Sequence, residues 1–218
     1  MKPYFIKTPL VLKKIFTKRL WDIQDVPNAV YLTFDDGPTP EVTPWVLEQL
    51  KKYDAKATFF CIGKNVKKHS DLFRQIIEAG HKIGNHTNNH MNGWQTPTAK
   101  YLKNIQKAET TIQVNWPKDK LDEFSRKKLF RPPYGKMKFS QAKEVLKKGY
   151  QIVMWDVLSA DFDNSISPEK CTSNVLNNVA NGSIIIFHDS LKAEKNLKHA
   201  LPATLEFLKK KNLKSLTI

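Results

Sequence analysis

Seven short apolar runs separated by helical stripes constrain this chain more than any other feature. The runs cover residues 30–34, 57–62, 81–85, 129–132, 152–157 and 183–187, with a weaker one at 213–218. Between them, Val42, Val46, Leu50 and Tyr53 recur at helical spacing, as do Leu72, Ile76 and Ala79 before a stop at Gly80. Further helical patterns cover 98–114, 138–148 (closed by Gly149), 168–180 (closed by Gly182) and 202–211. Regular alternation of strand and helix predicts parallel strands with helices on their faces. About seven such units suit either an open doubly wound sheet or a closed barrel. No GxGxxG and no P-loop follows any strand, which removes the usual nucleotide-binding use of such a sheet.

Residues 1–29 precede the first run. Leu12, Ile15, Phe16 and Leu20 fall on one helical face among Lys13, Lys14, Lys18 and Arg19. We read this basic lead-in as a flap closing one end of the domain, with a membrane-surface helix as the weaker alternative. Residues 30–218 then form one domain, and 115–128 are a polar surface excursion. No apolar run reaches the length of a signal-peptide core or a membrane span, so the expected location is the cytoplasm. A position in the cell envelope or outside the cell would require an export signal beyond this sequence.

Charge narrows the partners. Lys+Arg 36 against Asp+Glu 21 leaves +15, which favours an anionic partner. The lysines are spread as short pairs such as Lys51-Lys52 and Lys147-Lys148, with no arginine stripe and no interleaved aromatics. That pattern argues against a specific nucleic-acid surface. Cys61 and Cys171 lack any metal-binding spacing and read as two buried thiols, with a disulfide the alternative.

Polar residues gather where the runs end. The first run stops in Asp35-Asp36-Gly37-Pro38, the third in His86-Thr87-Asn88-Asn89-His90, and the fourth in Arg131-Pro132-Pro133-Tyr134-Gly135. Asp161 follows the fifth, and His188-Asp189 ends the sixth. In a parallel barrel the carboxyl ends of the strands share one face, so these groups can converge. Neighbouring side chains on an extended backbone point opposite ways, so Asp35 and Asp36 are expected to have different jobs. His86 and His90 are four apart, a zinc-ligand spacing that would put both rings on one side of a helical turn. Thr87 stands where a zincin carries Glu. With a carboxylate from another strand, a His₂Asp site leaves positions for water and substrate. Asp189 or Ser190 could instead cap the next helix.

The motifs TFDDGP, HTNNH, RPPYG, Ala160-Asp161-Phe162 and FHDS, in this order, resemble those of the polysaccharide deacetylases, the NodB-homology group also called carbohydrate esterase family 4. The resemblance runs from about Val30 to the C-terminus. It implies a distorted, incomplete (β/α) barrel of about seven parallel strands with helices outside. It also implies metal-dependent removal of N-acetyl groups from an amino-sugar polymer or oligomer, chitin-like or peptidoglycan-like, with acetylated xylan esters as the alternative. A non-catalytic carbohydrate-binding domain ranks below both. Carried over by position, Asp36, His86 and His90 hold a divalent ion, Zn²⁺ first, then Co²⁺, Ni²⁺ or Mn²⁺. Asp35 is the general base and Arg131 orients it. The Tyr134 backbone N–H is the oxyanion donor, and His188 is the general acid with Asp161 as its partner. Ile186, Pro133, Tyr134 and Phe162 face the substrate. A monomer is expected. Two positions depart from the family pattern: Leu158 replaces an Asp and Phe162 replaces a Trp, which leaves Asp156 as a second candidate partner for His188.

Overall fold

The computed structural model describes residues 4–120 and 128–218. Nine strands lie among them: β1 Arg19–Leu20, β2 Ala29–Asp35, β3 Ala57–Cys61, β4 Lys82–Asn85, β5 Lys128–Phe130, β6 Tyr150–Val153, β7 Val157–Leu158, β8 Ile184–His188 and β9 Lys214–Ser215. Their ladder runs β1-β6-β5-β4-β3-β2-β8-β7, every pair parallel, with β9 beside the start of β2. Helices α1 Leu10–Ile15, α2 Thr43–Lys52, α3 Gly63–Lys68, α4 Ser70–Glu78, α5 Thr98–Asn115, α6 Phe139–Lys147, α7 Pro168–Leu176 and α8 Glu194–Lys210 complete the described elements. The result is the distorted (β/α) barrel expected, with eight strands in its continuous ladder.

The strands read as continuous apolar runs because both faces are covered. In β2, Val30, Leu32 and Phe34 point to the helical layer, where Phe34 stacks on Phe59 at 5.0 Å and on Phe187 at 6.0 Å. Tyr31, Thr33 and Asp35 alternate onto the inner face. Tyr31 packs with Phe60, Leu129, Val153 and Ile184. The inner face of β2 thus runs from apolar to polar as it approaches its carboxyl end.

The expected strand 152–157 is two strands. β6 pairs with β5 and β1 at one end of the ladder, whereas β7 pairs with β8 at the other. Residues 154–156 carry the chain across the seam, so chain continuity rather than a hydrogen-bonded ladder joins the two edges. The lead-in lines the same seam. Lys7 forms an antiparallel bridge with Val157, and β1 pairs with β6. Lys7 and Lys13 both reach Asp156, each with Nζ at 2.6 Å, and Ser183 Oγ donates to it at 2.6 Å. Asp156 is therefore committed to the lead-in and is not the partner of His188. The face assigned to α1 also differs. Lys13 turns inward to Asp156 and Asp22, while Ile15 is left 63% exposed. A buried carboxylate attracts an ammonium more strongly than the barrel wall attracts one Ile.

Other boundaries shift for local reasons. α8 begins at Glu194, with Pro202 inside it, although the proline reads as a first-turn residue in sequence. α7 ends at Leu176. α4 and α6 stop before Gly80 and Gly149, both at positive φ, as the sequence predicts. Cys61 and Cys171 are buried free thiols. Of the excursion at 115–128, residues 118–120 form a short 3₁₀ turn and 121–127 lie outside the described residues.

Candidate active site

Asp35 ends β2 with 2% exposure, and its partner is Arg131, directly after β5. Arg131 is wholly buried. Nη1 donates to Asp35 Oδ1 at 2.7 Å and to Thr33 Oγ1 at 2.8 Å, while Nη2 donates to the Met154 carbonyl at 2.8 Å. The guanidinium also lies 4.1 Å from the centre of the Phe60 ring. Burial pulls its pKa down, and the Asp35 charge opposes that pull. Removing either member would leave the other as an unpaired buried charge. Thr33, part of the first motif but given no role from sequence, helps fix the guanidinium and donates its own hydroxyl to the Ile185 carbonyl at 2.8 Å. A hydroxyl interrupting the inner face of an otherwise apolar strand was its available signal.

One residue on, Asp36 adopts φ 82°, a strained conformation for a non-glycine residue. That turn sends its carboxylate toward His86 and His90. Asp36 Oδ1 lies 3.6 Å from His86 Nε2 and 3.2 Å from His90 Nε2. His86 follows β4 and is buried, with Nδ1 2.8 Å from the Arg131 carbonyl. Donating there fixes the Nδ1-protonated tautomer and leaves an Nε2 lone pair. Burial, then the neighbouring His90, lowers its pKa to about 3, so it is a neutral imidazole rather than half of an ion pair. The turn 86–90 is not helical: Thr87 and His90 both have positive φ, with Thr87 N–H bonded to Asn85 Oδ1 at 2.8 Å. The four-residue spacing thus brings the rings to 5.1 Å through a left-handed turn.

Asp36, His86 and His90 each offer a ligand atom within 4.8 Å of the others. Asp36 Oδ1 is a buried oxygen with no hydrogen-bond partner. An orphaned carboxylate oxygen facing two imidazole nitrogens fits a divalent cation.

The opposite wall comes from β7 and β8. His188 Nδ1 is 2.8 Å from Asp161 Oδ1, and the His188 N–H donates to Asp161 Oδ2 at 2.7 Å. Burial disfavours the imidazolium, but Asp161, with Asp36 and Asp35 behind it, outweighs burial and raises the pKa to about 9. Leu158 is buried with Ala160 and Ile186, so the apolar replacement has an apolar setting and Asp161 alone pairs with the ring. Phe162 meets His188 edge-on at 5.0 Å and Tyr4 at 5.9 Å. Ile186 lies two residues before His188 on the same strand face, 2% exposed.

Pro132 and Pro133 stiffen the third wall. Gly135 N–H bonds the Pro132 carbonyl and Lys136 N–H the Pro133 carbonyl, at 3.0 and 3.1 Å, with Tyr134 between them at φ 60°. The Tyr134 hydroxyl is 3.1 Å from His90 Nδ1. Asp189 does not cap α8, whose N-cap is Ala193 without a side-chain bond. It accepts from Gly37 N–H at 3.0 Å and from the Thr43 hydroxyl. Asn65 Nδ2 donates to the Asp36 carbonyl at 2.7 Å. Both hold the Asp36 turn, and neither role was visible in sequence.

A polar, partly buried cluster at the carboxyl end of a parallel barrel, with a candidate metal centre, defines the class: an α/β-barrel hydrolase. The chain belongs to the polysaccharide deacetylase family, whose model matches residues 23–153. A peptidoglycan-N-acetylglucosamine deacetylase of Bacillus cereus is 33% identical over 91% of this chain and 90% of its own length. A peptidoglycan-N-acetylglucosamine deacetylase of Listeria monocytogenes is 31% identical over 99% of this chain, which spans only 41% of that protein. A crystal structure of a peptidoglycan N-acetylglucosamine deacetylase matches with TM-score 0.82 at 31% identity, covering 97% of this chain and 95% of the other. No helix among the described residues is long and apolar enough to cross a membrane.

Proposed function

We propose that this chain hydrolyses N-acetyl groups on an amino-sugar polymer of the peptidoglycan type. The observation that carries the reading is the orphaned Asp36 Oδ1 facing His86 and His90, one residue from a carboxylate clamped by a buried arginine. Asp36, His86 and His90 would hold a divalent ion, Zn²⁺ by the chemistry of the donors. When bound, such an ion supplies Lewis-acid activation of a water and of the acetyl carbonyl.

The chain's own groups then divide the proton work. Asp35 takes the proton from the attacking water; Arg131 occupies Oδ1, so Oδ2 is the receiving oxygen. The Tyr134 backbone N–H donates to the developing oxyanion. His188, charged at neutral pH and steadied by Asp161, gives the amine the proton it needs to leave. Ile186 and Pro133 line the acetyl group, and Phe162 and Tyr134 border the sugar. All these groups come from one chain, which supports action as a monomer. We assign catalysis to 30–218 and treat 1–29 as a lead-in along the seam. A wall polymer places the work outside the cytoplasmic membrane; soluble oligosaccharides would serve a cytoplasmic enzyme.

The test is acetate release from peptidoglycan glycan, chitin oligomers and acetylated xylan, with and without chelator. Chelator-sensitive release from the amino sugars is expected. Release from xylan alone would make the chain an O-acetyl esterase, and no release from any would leave a carbohydrate-binding domain.

A further inference from the structure

Past His90 the same loop continues to an exposed indole, Trp94, that the chemistry above does not use. Trp94 is 59% exposed and Tyr134 58%. The Tyr134 ring packs edge-on against His90 at 4.5 Å, so it adjoins the candidate ligands. Two residues after Tyr134, Lys136 carries its Nζ to 5.1 Å from the centre of the Trp94 ring. A lone exposed indole signifies nothing by itself. What lies beneath it does.

Gly93 has no room for a side chain: a Cβ would lie 2.5 Å from the Lys136 carbonyl oxygen and 2.7 Å from Gln141 Oε1. Gln141 is wholly buried; its amide nitrogen serves this loop and its amide oxygen caps α6. Nε2 donates to the Gly93 carbonyl at 2.9 Å and the Thr96 carbonyl at 3.0 Å, while Oε1 accepts from Lys138 N–H at 2.8 Å. Asn92 Oδ1 accepts from Trp94 N–H at 3.0 Å, and Lys138 Nζ donates to the Thr96 carbonyl at 3.0 Å. A buried amide and a forced glycine thus hold a large apolar ring out in water. Folding gains nothing from that exposure, whereas a ligand with an apolar face would.

We propose that Trp94 and Lys136 form a subsite for a second sugar of the polymer, a pyranose bearing a carboxylate, beside the residue that loses its acetyl group. The proposal rests on the amino-sugar reading above and deepens it. The C–H face of a pyranose is flat and apolar enough to lie on an indole, whose electron-rich face attracts those hydrogens. The lysine stem is flexible, so its ammonium can leave the ring for a carboxylate as a mobile point charge. Continuity through Gly135, Tyr134 and His90 places this sugar along the chain from the reacting one. The surplus of +15 favours an anionic polymer over a neutral one.

The test is calorimetric binding to the zinc-loaded full chain carrying Asp35→Asn to suppress turnover. Two probes are used: neutral N-acetylchitotetraose and a peptide-free peptidoglycan tetrasaccharide with carboxylates on alternate sugars. Adding Trp94→Ala should weaken both roughly tenfold, with Trp94→Phe within about threefold of the parent. If the Ala variant does not fold, Trp94→Leu keeps an apolar side chain without the π face and carries the same expectation. Adding Lys136→Gln should weaken the charged probe several-fold and leave the neutral one unchanged. Binding within twofold of the parent after loss of the ring overturns the stacking subsite, and equal effects of Lys136→Gln on both probes overturn the carboxylate. Absence of acetate release by the parent, with these affinity differences intact, would refute the deacetylase reading and not the subsite.

Discussion

Gly37 and Asp189 stand so close that a Cβ on the glycine would sit 2.0 Å from Asp189 Oδ2, while the glycine N–H donates to Oδ1 at 3.0 Å. The glycine is therefore demanded by the approach of a carboxylate rather than by backbone freedom. The contact fixes the residue after Asp36, and so the direction of the Asp36 carboxylate. Asp189→Ala should lower zinc affinity by about 10–100-fold, the usual cost of losing a group that orients a ligand. Gly37→Ala should do the same by pushing the carboxylate away. Competition with a chelating dye measures both; affinity equal to the parent in Asp189→Ala would show that the turn orients itself.

Asp35 and Asp36 should separate cleanly. Asp36→Asn should lose most of the bound metal, because an amide oxygen is a poorer ligand than a carboxylate. Asp35→Asn should keep the metal and KM while kcat falls at least about 10²–10⁴-fold. Metal content by elemental analysis, alongside kinetics, decides it. An Asp35→Asn protein without metal would make both carboxylates ligands and leave the base to another residue.

Motif residues at strand ends were legible because a parallel barrel puts every carboxyl end on one face. Asp35, Asp36, His86, His90, Arg131, Asp161 and His188 all meet there, and the candidate metal set is the one read from sequence. What the sequence concealed depends on packing between distant segments. Asp156 looks like a partner for His188 until the lead-in supplies Lys7 and Lys13. Run 152–157 looks like one strand because periodicity cannot show that its halves join opposite edges of the ladder. Asp189 reads as a helix cap because its actual partner, Gly37, is far away in sequence. Strand count suffers similarly: β1 and β7 have two residues each, too few for any pattern.

His81 offers a pH test away from the site. It is 8% exposed, takes the Ala57 N–H on Nδ1 at 3.3 Å and packs on Phe59 at 5.4 Å. Burial, helped by Lys56, lowers its pKa to about 4. A folded-state value below the unfolded one of about 6.5 means full stability above 6.5, lost as pH falls toward 4. The loss is on the order of a few kcal/mol. His86 has the same sign, so the variant must isolate the contribution: His81→Leu should flatten the fall in urea midpoint between pH 7 and 4.5. An unaltered slope would place the acid sensitivity elsewhere.

The couple of His188 and Asp161 predicts the alkaline limb of activity. A general acid works only while protonated, so the rate should fall as pH rises through the pKa of His188. Without metal that value is about 9. A bound cation would repel the imidazolium and bring the limb lower. Asp161→Asn keeps the shape of the side chain and removes its charge, leaving burial with less opposition. The His188 pKa must then fall, and the alkaline limb of kcat/KM should move to lower pH by one unit or more. At pH 7 the rate should drop, and part of it should return as the pH is lowered. The direction separates proton donation from support of the fold, because a merely loosened structure would lose rate at every pH alike. A limb that stays in place in Asp161→Asn would remove His188 from the role of acid.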